Sequence, residues 1–241
     1  MNHAKALYIK IANDIIFDIN AETLKPNSAL PLQSEYARAY NTSLGTVKKA
    51  YALLKKRGLI KTVKGHGTIV RGAVKSLDFA TDSFRDSIAT GSGTAETRVI
   101  SAGWSYANGT VADNLCISPA EPYFKIQLIR LVNQQAICLQ RIYIRNEVAV
   151  RLSLERRNFS LESLFALYCS IWSKRDLYSI KRIHAINCPP EICHLLETDE
   201  SIPVLFTRSR LYHDENIVEF YESFERTDLC APIYRKTFSD R

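Results

Sequence analysis

The chain lacks the features that mark membrane-spanning, exported or nucleotide-hydrolysing proteins. No apolar stretch approaches the roughly 18 residues that a membrane span needs. The opening MNHAKALYIKIANDIIFDIN has no basic leader followed by an uncharged apolar core, so it does not read as an export signal. The six cysteines, Cys116, Cys138, Cys169, Cys188, Cys193 and Cys230, form no CxxC pair and all lie in the second half. Scattered thiols of this kind are expected in a reducing cytoplasm. No G-x-x-x-x-G-K-[ST] loop and no G-x-S-x-G elbow occurs. The closest approach to a metal pattern, Cys188, Cys193 and His194, falls short of four ligands and has the wrong spacing. These absences argue against an enzyme, and no metal, cofactor or membrane partner is expected.

What is present is a globular composition with an uneven charge. Hydrophobic residues make up 46% of the 241 and charged residues 24%, enough apolar content for one large or two modest cores. Residues 1–72 hold 12 Lys/Arg against 4 Asp/Glu, whereas the rest hold 20 against 21. The whole excess of +7 therefore sits in the first third, the pattern of a polyanion-binding module joined to a neutral one.

The first third reads as three helices and a hairpin. Leu7, Ile11, Ile15 and Ile19 recur at helical spacing. QSEYARAY, about Gln33 to Tyr40, makes a short helix, NTS a turn with a candidate N-cap, and SLGTVKKAYALLKKRG a longer helix stopped by Gly58. LIKTV and TIVRG flank KGHG, residues 64–67. A Gly-x-Gly beside Lys and Thr suits either a phosphate-cradling loop or a hairpin tip, but a strand and not a helix follows it, which favours the hairpin. Helix, turn, helix and hairpin make a winged helix-turn-helix, whose second helix enters the major groove. Candidate DNA contacts are Ser34, Ser43, Gly45, Thr46, Lys48 and Lys49, with Lys64, Gly65, His66, Gly67 and Thr68 on the wing.

Four segments in this stretch, ALYIKI (6–11), LPLQSEYA (30–37), YNTSLGTVKKA (40–50) and RGLI followed by GHGTIV, resemble the DNA-binding domain of the GntR family of bacterial transcription regulators. The resemblance implies binding to double-stranded operator DNA. Two departures bear on readout: Leu44 and Lys48 stand where the family pattern carries arginines, and neither reproduces a bidentate guanidinium fork on guanine.

Beyond residue 72, strand-like runs (TRVISAGWSYA, YFKIQLIRLVN, QAICLQRIYIR, KRIHAINC, VLFTRSRLYH, IVEFYESFER) alternate with short helical ones (TVADNLCI, SLESLFALYCSIW, PEICHLLE). The order predicts an α+β domain with a mostly antiparallel sheet. An internal repeat pairs 111–131 with 191–211, setting Leu115 against Leu195 and Arg130 against Arg210. It predicts two related halves sharing a sheet, with a cleft where they meet. The expected domains are 1–72, a linker at 73–82, and 83–241.

SFRDS (83–87), IRL (129–131), QRIYI (140–144), ESLFALY (162–168) and VEFYESFERTD (218–228) resemble the UTRA effector-binding domain of the HutC-like branch of that family. The resemblance implies a small effector: a sugar phosphate, a phosphonate or another anionic metabolite. Matched residue by residue, it points to Ser83, Phe84, Arg85, Arg130, Gln140, Arg141, Ser163, Glu219, Ser223 and Arg226. Gln140 stands where the pattern has a glutamate, a change expected to steer the pocket away from amines. The sequence as a whole predicts a ligand-responsive homodimeric repressor on a near-palindromic operator. The alternative is a metabolite-binding or enzymatic α+β domain with a basic docking module.

Overall fold

Apolar periodicity builds the first unit. In α1 (His3–Asn20) the residues Ile11, Ala12, Ile15, Ile16 and Ile19 are buried, while Phe17 points to solvent. α2 (Gln33–Ala39) and α3 (Leu44–Lys56) are joined by a turn in which Asn41 takes a left-handed conformation. Val47, Ala50, Tyr51 and Leu54 of α3 face the core. Two tyrosine hydroxyls fasten the unit: Tyr40, at the end of α2, donates to Asp14 Oδ2 of α1 at 2.7 Å, and Tyr51 of α3 to the Pro31 carbonyl of the connecting chain at 2.7 Å. α3 ends in a Schellman motif. Gly58, at φ 70°, donates to Lys55 O and Leu59 to Leu54 O, and the side chains of Leu54 and Leu59 are both buried beside it. β1 (Ile60–Val63) and β2 (Gly67–Val70) form an antiparallel hairpin. Residues 27–30 extend it through bonds from Asn27 and Leu30 to Val70 O and Thr68 O.

The computed structural model describes residues 3–21, 23–71, 77–78, 94–229 and 232–233, and the chain divides into two units, Met1–Lys75 and Ser76–Arg241. In the second unit β3 (Leu77–Asp78) makes a short parallel pair with β10 (Pro232–Ile233). The rest is a six-stranded antiparallel sheet in the order β4-β5-β6-β9-β8-β7. Its strands are β4 (Ala95–Tyr106), β5 (Pro122–Val132), β6 (Gln135–Arg145), β7 (Leu177–Asn187), β8 (Pro203–His213) and β9 (Asn216–Arg226).

Two copies of one motif share this sheet. β4, α4 (Gly109–Leu115), β5 and β6 make the first; β7, α7 (Pro190–Leu195), β8 and β9 the second; β6 and β9 meet at the centre. The repeat visible in the sequence is therefore real, but its alignment needs a correction of one residue. Pro122 and Pro203 open β5 and β8, Arg145 and Arg226 close β6 and β9, and both hairpins carry a bulge at equivalent places, Arg130/Leu131 and Leu211/Tyr212. Arg130 thus corresponds to Leu211, not Arg210. Because side chains alternate along a strand, the one-residue slip puts Arg210 on the other face, where its Nη2 donates to Asn114 Oδ1 of α4 at 3.0 Å.

The two faces are covered differently. α4 packs on Tyr123, Tyr143, Ile217 and Phe220, and α7 on Leu139, Val204 and Phe224, all on one face. The opposite face carries α5 (Asn146–Arg151), the turn around Leu154 and α6 (Leu164–Cys169) over Phe124, Ile126, Leu128, Ile142 and Ile144. α5 was not anticipated: its NEVAVR continues the apolar run of β6, and only the start of the 3.6-residue period in Val148 and Ala149 marks the change.

Candidate functional site

The candidate nucleic-acid surface comprises the N-terminal half of α3 on its outer side, Ser34 of α2 and the wing. Ser43 is the N-cap of α3: its Oγ accepts from Thr46 N at 3.2 Å and lies 3.0 Å from Thr46 Oγ1. Ser43 therefore starts the helix as well as facing solvent. With the core side of α3 fixed by Val47, Tyr51 and Leu54, the outer side leaves Leu44, Gly45, Lys48 and Lys49 exposed. A Cβ on Gly45 would meet only Ser43 Oγ, at an ordinary 3.6 Å, so packing does not require glycine there. Ser34 on α2 is exposed. At the wing tip Gly65 and Gly67 hold φ of 81° and 76°, which a side chain would strain, with open space around both. Lys64 and His66 are exposed beside them, and Thr68 is half-buried in the hairpin.

The second unit holds a cavity of about 420 Å³, within the usual size of a small-molecule site. Its floor is the sheet face under α6, and Leu164, Phe165 and Tyr168 form one wall. A hydrogen-bonded chain crosses four strands of the floor. Arg130 donates from Nη1 to Thr97 Oγ1 at 2.6 Å and from Nε to Gln140 Oε1 at 3.0 Å. Gln140 Nε2 in turn donates to the Tyr221 hydroxyl at 2.9 Å. Beside it Tyr168 donates to Glu219 Oε2 at 2.7 Å, and Ser223 to Glu225 Oε1 at 2.5 Å. Ser179 and Lys181 of β7 and Thr207 and Ser209 of β8 complete the polar lining.

Burial dominates the electrostatics. It raises the carboxyls of Glu219 and Glu225 to about 7 each, against the opposing hydrogen bonds from Tyr168 and Ser223 and the charge of Lys181. Burial likewise lowers Lys181, opposed by Glu225 and Glu219. Between the ordinary carboxylate value and about 7 the folded chain binds more protons at these two sites than the unfolded one, so stability falls as pH rises through that window. Thermal unfolding at about pH 5.5 and about pH 8 is expected to show the higher midpoint at the lower pH, and Glu219→Gln with Glu225→Gln to flatten the difference. A midpoint difference unchanged in the double variant would contradict this.

Of the ten effector residues expected from sequence, Arg130, Gln140 and Glu219 line the cavity. Ser223 lies fully buried beneath it and donates to the lining carboxyl of Glu225; Ser163 caps α6 by accepting from Ala166 N at 3.3 Å. Ser83, Phe84 and Arg85 lie outside the described residues. Two expectations are corrected. Arg141 alternates with Gln140 and so points from the opposite face, over the Phe224 ring at 5.4 Å. Arg226 is a buried structural group. It pairs with Asp228 at 2.8 Å and donates to the carbonyls of Ala136 and Leu196. The expectation attached to Gln140 also changes, because Glu219 and Glu225 keep two carboxyls in the lining. Tyr168, Lys181, Ser209, Tyr221 and Glu225 were missed. Period-two reading of NIVEFYESFER places Glu219, Tyr221, Ser223 and Glu225 on one face and supplies the signal for some of them.

A basic winged helix joined to a sheet domain with a polar cavity defines a class, the DNA-binding regulator that answers to a small ligand. Comparison with known proteins makes this specific. Residues 7–70 match the bacterial regulatory proteins of the gntR family and residues 91–230 match the UTRA domain. The chain belongs to the GntR family of transcription regulators, in the group that carries a UTRA domain. An HTH-type transcriptional repressor of Salmonella typhimurium is 27% identical over 202 residues, spanning 83% of this chain and 82% of its own. The mannosyl-D-glycerate transport/metabolism system repressor MngR of Escherichia coli is 26% identical over 145 residues, 60% of each chain. The crystal structure of PhnF from Mycobacterium smegmatis superposes with a TM-score of 0.64 at 15% identity, covering 97% of this chain and 100% of that one, and so shares the fold. A GntR DNA-binding module with a UTRA effector domain is the make-up of a ligand-responsive repressor.

Proposed function

We propose that the protein is a homodimeric repressor of a near-palindromic operator, released when a hydroxylated anion enters the sheet cavity. The observation that carries the effector class is the Thr97–Arg130–Gln140–Tyr221 chain. It fixes a guanidinium on the floor of the cavity, to whose lining the strands β7 and β8 contribute the hydroxyls of Ser179, Thr207 and Ser209. A fixed guanidinium suits a phosphate or carboxylate, and hydroxyls with two carboxyls of raised affinity for protons suit sugar hydroxyls. MngR is named for mannosyl-D-glycerate, a sugar joined to a carboxylate. Ligand and operator are coupled by population shift, so DNA weakens the ligand by the factor by which the ligand weakens DNA.

On the DNA side Leu44, 45% exposed at the first turn of α3, suits apolar contact with a thymine methyl where an arginine would read guanine. The first unit, Met1–Lys75, acts on DNA, and the second, Ser76–Arg241, serves effector binding and dimerisation. The test is release of labelled operator by sugar phosphates, sugar acids and phosphonates at fixed salt, with light scattering for the dimer. Release by one of these and not by the uncharged sugar is expected. Release by an uncharged sugar alone, or a monomer at micromolar concentration, would count against the reading.

A further inference from the structure

The sheet face opposite the cavity carries a feature that the effector function does not use. Between the patches covered by α4 and α7, one row of side chains crosses all six strands. The strand register sets Ser101 beside Gln127, Gln127 beside Arg141, Arg141 beside Glu222, Glu222 beside Arg208, and Arg208 beside Arg182. The motif repeat relates this row to itself, carrying Ser101 to Arg182, Gln127 to Arg208 and Arg141 to Glu222. The next row towards α4 adds Lys125 and Arg210. Five cations thus stand against one acid along a lane about 24 Å long, from five strand spacings of ~4.8 Å.

Two of the cations are held in place by rings. Phe206 and Phe224 stack with centroids 4.8 Å apart, Arg208 lies over the first at 5.1 Å and Arg141 over the second at 5.4 Å. Glu222, 8% exposed, accepts from Arg208 Nε at 2.9 Å. Arg141, Arg182 and Lys125 make no hydrogen bond or ion pair with any described residue, and the Arg182 side chain stands exposed on the edge strand β7. Stacking a guanidinium on a ring fixes its plane while leaving its N–H donors directed outward. Five cations within one lane repel one another, and they are gathered here in a part of the chain that, taken as a whole, carries almost no net charge.

We infer that this lane is a second DNA-binding surface, taking the phosphodiester backbone beside the operator without reading its sequence. The inference rests on the chain's being a DNA-binding regulator. Whenever the winged helix is engaged, a dense row of phosphates is tethered at high effective concentration, whereas an acidic protein or free anion must be supplied from solution. A linear row of cations with no base-reading element matches backbone binding.

The test uses the full chain and DNA from upstream of its own gene, cut to about 20 and about 60 base pairs around the protected segment; the short piece spans roughly two helical turns, enough for two half-sites. The variants are Arg141→Gln/Arg182→Gln/Arg208→Gln and the milder Arg141→Gln/Arg182→Gln, which spares the Arg208–Glu222 pair and so guards against misfolding. Each phosphate no longer neutralised should reduce the slope of log affinity against log salt by about 0.9. With the lanes of both protomers engaged, the expected result is a slope on the long DNA lower by about five in the triple variant and by about three to four in the double. On the short DNA both variants should match the wild type. Wild-type slopes on the long DNA would overturn the inference and leave an acidic protein or a small anion as occupant. An equal fall on both lengths would also overturn it, because the effect would then act through the winged helix. Failure of the wild type to prefer the short operator over a scrambled fragment of equal length would instead overturn the reading of the winged helix on which this rests.

Discussion

Arg130→Ala is expected to keep operator binding within about twofold and to weaken effector-driven release by about 30-fold or more, since truncating one member of a buried charge pair costs ~2 kcal/mol or more. Arg130 lies half-buried on β5, and its side chain is oriented by Thr97 and Gln140. Removing it leaves those two groups without a donor, at a cost of about 1–2 kcal/mol that a six-stranded sheet tolerates. Arg130→Lys separates charge from shape: an ammonium keeps the charge but cannot bind in the planar two-point manner, so an intermediate effect is expected. The measurement is operator release followed by fluorescence anisotropy while effector is titrated, with calorimetry for direct ligand binding. Failure of the alanine variant to bind operator would make Arg130 a structural residue.

Lys48→Ala/Lys49→Ala carries the second large effect. Both lysines are exposed on the outer side of α3, and alanine is the better helix former, so the helix should persist. In the dimer this leaves four phosphates without their lysines, which reduces the salt slope by about 3.6 and lowers operator affinity by roughly 10²- to 10³-fold near physiological salt. Effector binding should be unchanged, because the cavity lies in the other unit. The same experiment on Leu44→Arg is informative about readout. An arginine at that exposed position should strengthen binding to operator variants carrying guanine, and weaken it at thymine, where the apolar fit to the methyl is gone. Unchanged affinity in the double lysine variant would remove α3 from the interface.

Much of this was legible in the sequence, for definite reasons. The winged helix announces itself through local signals: the spacing of Ile11, Ile15 and Ile19, the Ser43 cap, the Gly58 stop, and Gly65 and Gly67 at positive φ. The sheet domain depends on long-range pairing, and there local patterns reach only part of the way. The repeat was visible, but a shift of one residue was enough to equate Arg130 with Arg210, which face opposite ways. Two bulges at equivalent positions fix the true register, and a bulge has no local signature in IQLIRLVN or FTRSRLYH. Alternation alone decides that Gln140 lines the cavity and Arg141 does not. Lys181 could not be placed from sequence, because only the pairing of edge strand β7 with β8 brings it beside Ser209 and within reach of the charges of Glu219 and Glu225.

One binding curve bears most directly on the central claim: anisotropy of labelled DNA from upstream of the protein's own gene, against a scrambled fragment, at about 50 and about 200 mM salt. Saturable binding that prefers the upstream fragment at both concentrations, and weakens by about 10³-fold or more between them, is the predicted result for roughly six neutralised phosphates. Equal affinity for the two fragments, or no binding to either, would contradict it.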